Sequence, residues 1–408
     1  MINRFNFVFY TAIALYFGYY FQGIVYPTGS LMSQTFLLLY LLIGIYCAFH
    51  TLFLSKANAL SYIWGIFVVT LSFTFLLSPP IVHGTINEAI GEISTFMQFK
   101  ESISFSLTYF IACYVGKNGT ISNKQLFYLG IAFFLLSFLK FKYTGITLEQ
   151  ENDGSIGFTN NAAYDVAITL PFLAIIFKRS KLIAGFLLIL SITLIMLGAK
   201  RGAIVCLITI ALFVLIYYLK NTKISLTKYL TVILIICSIG WYVNMSYQSN
   251  EYLMHRIEKT SQVGIGGREV AYTMLFDHWN REQDPIAFFF GNGTAQTINI
   301  WGNYAHNDWL ELLIDNGFVG FIIYLLLFLL TFREIRRSEL EHMEKVTCYC
   351  AFITWFCRAA FSMGYTSFTN AILLILLGIL LNREEICENE EEYLVTNPIK
   401  DCKIEETK

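Results

Sequence analysis

The sequence predicts an all-α, polytopic membrane protein of about 12 transmembrane helices, with one large outer loop that contains short helices. Of the 408 residues, 56% are hydrophobic and only 14% are charged, whereas a soluble domain carries about 25% charged residues. The apolar residues form long runs, such as 183–197 and 204–219, which approach the roughly 20 residues that cross a bilayer as helix. Phe and Tyr often stand near the ends of these runs, as interfacial aromatics do.

The apolar runs predict spans along the chain, because a helix satisfies its own backbone polar groups in lipid. The first run follows only Met-Ile-Asn-Arg and has no small-residue cleavage site, so we expect a retained span rather than a removed signal peptide. The fourth, fifth and eleventh runs are short or have polar ends. The predicted spans are 5–22, 36–54, 59–78, 102–116, 126–140, 164–177, 182–199, 201–219, 229–246, 308–332, 345–357 and 364–382.

The basic residues predict the orientation. With the N-terminus inside, most of the 28 Lys and Arg residues fall in cytoplasmic segments, as the positive-inside rule requires. Both termini are then cytoplasmic, and the nine cysteines avoid the long outer connection, so we expect no disulfide framework there. The predicted regions are a bundle of about nine helices at 1–246, an outer loop at 247–307, about three helices at 308–382 and an acidic cytoplasmic tail at 383–408.

The outer loop has structure of its own. Glycines at 264–267 predict a turn, and Arg268 to Asn280 then reads as a helix with an apolar face suited to the membrane surface. Asp284 and Pro285 end that segment, and Gly291-Asn292-Gly293 predicts a tight turn.

His306 is the first candidate for chemistry, at the outer mouth of the tenth predicted span. A histidine there can accept a proton near neutral pH, or bind phosphate when charged. The alternative is an interfacial histidine that bonds only headgroups or water. Asn307 or Asp308 can cap the following helix, and Glu311 lies one turn below the surface, where an acid without a partner is costly.

Basic residues on the outer side are the second group of candidates. Arg268 opens the predicted loop helix, and Lys200 and Arg201 occupy a very short outer connection, against the positive-inside trend. Arginine binds diphosphate oxygens bidentately, although headgroup contact or snorkelling would explain these residues as well. Asn160 and Asn161 precede the sixth span and could contact sugar. For these two asparagines, as for Asp165 and Arg358, capping or interfacial packing is the simpler explanation.

Several classes of enzyme are excluded by what the sequence lacks. It has no phosphate-cradling Gly-Lys loop, no paired-histidine metal signature and no serine-elbow motif. The predicted inner loops are too short for a nucleotide-binding domain. Any activated substrate must therefore carry its own leaving group within the membrane. The net charge of −1 gives no reason to expect a nucleic-acid partner.

These features resemble the O-antigen ligase and polymerase superfamily of bacterial envelope proteins. The resemblance covers the whole topology and is specific over about 198–320. Tyr272 stands four positions after Arg268, where the family often has leucine. The matching features are His306 followed by Gly317 and Gly320, the paired-glycine turn Gly291-Asn292-Gly293, the loop arginine in Gly267-Arg268, the span-mouth arginine in Lys200-Arg201-Gly202-Ala203, and the asparagine-bearing segment 157–161.

The resemblance implies a glycosyltransferase of the bacterial inner membrane that acts on undecaprenyl-diphosphate-linked oligosaccharides at the outer face. An acceptor hydroxyl would attack the anomeric carbon, with inversion, and undecaprenyl diphosphate would leave. No metal and no cofactor is expected, because arginines provide the positive charge. Membrane lipid, a chain-length regulator and a flippase are the further partners it suggests. The expected site comprises catalytic His306, Arg268 and Arg201, with Asn307, Glu311, Lys200, Asn160 and Asn161 binding substrate.

Three functions remain in competition. We expect a repeat-unit polymerase, whose acceptor is another lipid-linked oligosaccharide; the alternative is an O-antigen ligase, whose acceptor is lipid A–core. A transporter of the same lipid would show matched halves with charges at mid-membrane, which the sequence lacks. A structural scaffold predicts that His306→Ala leaves glycan length unchanged.

Overall fold

The computed structural model describes residues 4–79, 95–119, 121–149, 156–221 and 268–383, together with a few helical positions between 237 and 258. The described chain is predominantly helical. One antiparallel hairpin interrupts it, in which β1 (Ile146–Glu149) pairs with β2 (Ile156–Thr159). The helical class predicted from the apolar runs is confirmed, with this hairpin as its exception.

The helices differ widely in length. Those before residue 222 are α1 (Arg4–Tyr20), α2 (Leu31–Phe49), α3 (Ala59–Leu76), α4 (Thr95–Asn118), α5 (Asn123–Tyr143), α6 (Ala162–Thr169), α7 (Phe172–Arg179), α8 (Lys181–Leu197) and α9 (Arg201–Asn221). Those after residue 267 are α10 (Arg268–Asn280), α11 (Pro285–Phe290), α12 (Gln296–Trp301), α13 (Asp308–Asp315), α14 (Gly317–Arg337), α15 (His342–Phe361) and α16 (Ala371–Asn382). A π-helical turn (His50–Leu54) extends α2, and a 3-10 turn (Phe368–Asn370) precedes α16.

Within the described residues, four helical segments are long and apolar enough to cross a membrane: Leu31–Leu54, Ala59–Leu76, Asn123–Tyr143 and Gly317–Arg337. Shorter apolar helices are Lys181–Leu197, Arg201–Tyr217 and Phe368–Asn382. The chain is therefore a multi-pass membrane protein. The count of about 12 spans, the outer loop and the orientation of the termini stay predictions.

Helix α4 forms the centre of the bundle and packs against α1, α2, α3 and α16. It is buried without interruption from Ser102 to Gly116, the bounds of the predicted fourth span, while the helix itself extends further at both ends. The hydroxyls of Ser102 and Ser106 donate to carbonyl oxygens one turn earlier, which satisfies them inside the bundle. Apolar surface alone does not drive helix association in lipid. Small residues such as these serines favour association because they let neighbouring backbones approach closely.

Two predicted spans are each divided into two helices. The sixth, at 164–177, becomes α6 and α7, because Pro171 has no N–H for the helical ladder and begins the new helix. The tenth, at 308–332, becomes α13 and α14, which meet at Gly317 with a φ of +65°. Prediction of one continuous helix was wrong at both places.

Some predictions fall on other parts of the chain. The acidic tail at 384–408, most of the ninth span at 229–246 and the glycine turn at 264–267 lie outside the described residues. The predicted outer-loop helix is present, and α10 has the predicted bounds. Short α13 contacts α10, α12, α14 and α15, so it joins this loop helix to the C-terminal helices.

Candidate active site

His306 lies in the connection between α12 and α13, and its backbone is left-handed with a φ of +53°. For a residue with a side chain this conformation costs about 1–3 kcal/mol, so the surrounding structure must hold it. Glu311 does so on the N-terminal side: its Oε1 accepts from the amide of Ala305 at 2.5 Å, and its Oε2 accepts from Thr297 Oγ1 at 2.7 Å. The acid expected to bind substrate therefore positions the histidine loop.

Asn307 holds the C-terminal side of His306. Its Oδ1 accepts from the amides of Trp309 and Leu310 at 3.0 and 3.3 Å, which makes Asn307 the N-cap of α13. Its Nδ2 donates to the carbonyl oxygen of Ala360 at 3.2 Å. Both ends of this amide are engaged within the chain, and they fix His306 beside the last turn of α15.

Asp308 strengthens the same junction. Its carboxylate is fully buried and accepts from the amides of Gly364 and Tyr365 at 2.8 and 2.9 Å and from Tyr324 Oη at 2.6 Å. The loop after α15 is thus tied directly to the residue that begins α13. Of the two residues predicted to cap α13, Asn307 is the cap, and Asp308 binds the loop after α15 instead.

Asp315 completes a row of three buried carboxylates on α13, three and then four residues apart, so that they share one face. Its oxygens accept from the amides of Ala295 and Gln296 at 2.8 and 2.9 Å and from Gln98 Nε2 at 3.0 Å. Sequence reasoning did not single out this acid. Each carboxylate of α13 therefore organises a different loop around His306.

The paired-glycine turn packs against the other end of α13. Asn292 N donates to Ile314 O at 2.9 Å, and a Cβ added to Gly291 would lie 2.3 Å from Asp315 O. Gly317 meets the same turn, since its added Cβ would lie 2.5 Å from Gly291 N. The contact is backbone against backbone, which explains the need for glycine on both sides.

Three cations from separate elements surround His306. Arg268 begins α10, Lys200 lies in the turn between α8 and α9, and Arg358 lies in the last turn of α15. Burial, followed by the positive charges of Arg268, Arg358 and Lys200, lowers the pKa of His306 from 6.5 to about 4. The imidazole is therefore neutral at pH 7, where it can accept a proton, and its surroundings favour an anion.

Arg268 and Arg201 occupy the starts of two helices. Arg268 Nη1 donates to the carbonyl oxygen of Phe361 at 3.1 Å, one residue beyond the carbonyl that Asn307 holds. Arg201 begins α9 directly after Lys200 and is partly buried. The next residue, Gly202, packs so closely on Tyr164 that a Cβ there would lie 2.6 Å from its hydroxyl oxygen.

Asn160 supports the turn that carries Lys200. Its amide N donates to Gly198 O at 3.1 Å, and its Nδ2 donates to Phe141 O at 2.6 Å. Its Oδ1 accepts from the amide of Ala162 at 2.9 Å. Asn161 is exposed at the same corner. A substrate contact by either asparagine stays a prediction.

Arg358 is the site residue that sequence reasoning undervalued. Its side chain is buried, with a relative exposure of 5%, although interfacial packing was the expected explanation. The available signal was an arginine inside an otherwise apolar run, since intramembrane charges are costly and mark functional positions. The structure brings it together with His306, Arg268 and Lys200.

Comparison with known proteins supports the resemblance drawn from the sequence. A family model described as O-antigen ligase matches residues 186–325, a range that contains Lys200, Arg201, Arg268 and His306. The ComP-specific O-oligosaccharyltransferase of Acinetobacter baylyi (strain ATCC 33305 / BD413 / ADP1) is 22% identical over 338 residues, which cover 76% of this chain and 59% of the relative. The chain therefore spans less than two thirds of that relative's length. The resemblance to the O-antigen ligase-like superfamily that was drawn from the sequence is confirmed over residues 186–325.

Proposed function

Because residues 186–325 match the O-antigen ligase family and the chain is similar to an O-oligosaccharyltransferase, we propose that it transfers an oligosaccharide from undecaprenyl diphosphate to an acceptor hydroxyl at the outer face of the bacterial inner membrane. One observation carries the proposal: His306, held in a left-handed backbone, lies near Arg268, Arg358 and Lys200, whose charges together with burial lower its pKa. That arrangement provides a proton acceptor and a binding place for a diphosphate leaving group within one site.

The reaction follows from these groups. The acceptor oxygen forms a bond to the anomeric carbon of the donor sugar, while the bond from that carbon to the diphosphate oxygen breaks. The leaving diphosphate takes the bonding electron pair, and Arg268 and Lys200 stabilise its charge. The acceptor proton passes to the imidazole of His306. Arg201, at the start of α9, is proposed as a further diphosphate ligand.

The membrane supplies part of the rate enhancement. Donor and enzyme share one plane, so the diphosphate approaches the cations in a restricted orientation. The loops around His306 are fixed before the substrate arrives, because buried carboxylates of α13 hold each of them. Preorganised charge of this kind needs little rearrangement during the reaction.

The acceptor distinguishes a ligase from a repeat-unit polymerase. The family description and the name of the relative favour transfer to a separate acceptor, as in a ligase, over the repeat-unit polymerase that we expected from the His-Asn-Asp-Trp run. We therefore propose ligase-type transfer first and polymerisation second. Lipid A–core is the acceptor that the ligase proposal names.

Lipopolysaccharide from a deletion strain separates the two functions. A bare core with polymer left on undecaprenyl diphosphate supports the ligase, whereas a core that carries one repeat supports the polymerase. Purified protein in detergent, given a lipid-linked donor and either acceptor, should form a new glycan product. Product formation would exclude a transporter, and wild-type activity in a well-expressed His306→Ala protein would defeat the assignment of the site.

A further inference from the structure

Arg358 is a buried cation whose hydrogen-bond and ring contacts in the described chain are all with neutral side chains. Its Nε donates to Asn370 Oδ1 at 3.0 Å, its Nη1 donates to Ser362 Oγ at 3.0 Å, and its Cζ lies 4.4 Å from the ring centroid of Tyr164. Within the described chain no carboxylate forms an ion pair with it. These contacts orient the guanidinium, and the buried carboxylate of Asp308 interacts with it electrostatically without forming an ion pair. A buried charge with no directly bonded counter-charge is costly.

The hydrogen bonds of the guanidinium use its Nε and Nη1 atoms. In the described part of the chain its Nη2 makes no hydrogen bond. Asn370 is itself fixed, because its Nδ2 donates to the carbonyl oxygens of Met363 and Gly364, both at 2.7 Å. A rigid guanidinium with free donors is suited to a phosphate group, whose oxygens accept two parallel hydrogen bonds.

The last turn of α15 carries Arg358 and also contacts the segment that contains His306. Asn307, the neighbour of His306, donates to the carbonyl oxygen of Ala360 on the same helical turn. Arg268 donates to the carbonyl oxygen of Phe361, one residue further. Arg358, Arg268 and His306 are therefore assembled around the last turn of α15.

Stabilisation of the end of α15 is the competing explanation for Arg358. A cation in the last turn does favour the negative end of a helix dipole. However, Asn307 and Arg268 already donate to the carbonyls of Ala360 and Phe361, and the guanidinium of Arg358 bonds to side chains instead. Helix capping therefore leaves its burial unexplained.

We propose that Arg358 is a ligand of the donor diphosphate and binds its oxygens together with Arg268. The inference rests on the proposed function and adds to it a residue outside the range that the family model matches. An incoming diphosphate would supply a directly bonded negative partner, which no carboxylate in the described part of the chain provides.

Binding of undecaprenyl diphosphate to the full chain in detergent tests the proposal. We expect Arg358→Gln to bind it about tenfold more weakly than wild type or worse, because a charged hydrogen-bond partner is lost. Arg358→Lys should also bind more weakly, because it keeps the charge but not the planar group. Arg281→Gln is the matched control: this exposed arginine pairs with Asp277 on α10 and should bind as wild type does.

The possible results distinguish failure of the proposed function from failure of the inference on Arg358. If wild type does not bind the lipid, or if Arg268→Gln binds it as well as wild type, the proposed function fails. If Arg268→Gln is weakened while both Arg358 variants bind normally, only the inference on Arg358 is overturned. Should Arg358→Gln not fold, Arg358→Lys decides, and wild-type affinity in that variant overturns the inference. Thermal unfolding without lipid separates loss of affinity from loss of structure.

Discussion

The carboxylate of Glu311 accepts a hydrogen bond from the backbone amide of Ala305 over 2.5 Å, one residue before the histidine of the candidate site. The acid lies one turn into α13, and the amide lies in the loop before that helix. This bond couples the position of His306 to a helix that the bundle holds firmly.

Glu311→Ala should lower the rate of transfer about tenfold or more, because both the Ala305 and the Thr297 bonds are lost and the histidine loop is released. Glu311→Gln should retain more activity, since its amide oxygen can still accept from Ala305. The turnover number should fall more than the donor KM rises, which product formation at several donor concentrations would show. Asp277→Asn, an exposed acid on α10, is the control and should leave both constants unchanged.

His306 should remain neutral as the pH falls from 8 to 5, since burial and the surrounding cations lower its pKa to about 4. Arg268→Gln removes one repulsive charge and should raise that pKa towards 6.5, so the imidazole of the variant gains its proton at a higher pH. Undecaprenyl diphosphate should shift the wild-type pKa in the same direction, because an anion favours the imidazolium.

The measurement is an NMR titration of protein labelled at histidine. The chain has six histidines, and loss of one signal in His306→Gln identifies the relevant one. A wild-type midpoint at 6.5 that Arg268→Gln leaves unchanged would contradict the proposed electrostatics.

Gly317→Ala should lower the thermal unfolding midpoint. Its φ of +65° disfavours a side chain, and the added Cβ would lie 2.5 Å from the amide nitrogen of Gly291. Strain of this kind costs about 1–3 kcal/mol before any overlap is counted. Gly185→Ala is the matched control: nothing lies within 4 Å of its added Cβ in helix α8, so that change should be neutral or stabilising. Equal midpoints for the two variants would contradict the interlocking of the two glycine segments.

Arg201→Lys should reduce transfer at an unchanged level of protein, if the planar group of Arg201 binds diphosphate. Lysine keeps the charge but presents only a single compact donor group. Chain ladders from a strain that expresses only the variant provide the measurement. A normal ladder would leave Arg201 with a structural role at the start of α9 and would not affect the assignment of His306.

Much of the local structure was predictable because its causes are local. The apolar runs indicated membrane helices, the bounds of Arg268–Asn280 were predicted from sequence, and the turn at Gly291–Gly293 was evident from its glycines. The break at Pro171 follows from local chemistry and could also have been predicted.

Other features depend on partners that are distant in sequence. Nothing in the local sequence distinguishes Asp315 from other acids, and its role depends on α13, which places it against Gln98 of α4. Arg358 is a site candidate because of its contacts with Asn370 and Tyr164, which belong to other elements. The break at Gly317 arises where α13 meets the turn at Gly291, a contact that no single segment shows. The sequence therefore predicted His306 and Arg268 as site candidates, whereas Arg358 became a candidate only from the structure.

The spacing of the α13 carboxylates limits how this region can evolve. One residue inserted between Asp308 and Asp315 would rotate the following acids by about 100° around the helix axis, since a turn takes 3.6 residues. Loops now anchored at 295, 305 and 364 would then lose their common helix face. We therefore expect homologous chains to vary in the length of the outer loop but to have no insertions within 291–317. Transfer of this site to another protein should require the whole of that segment.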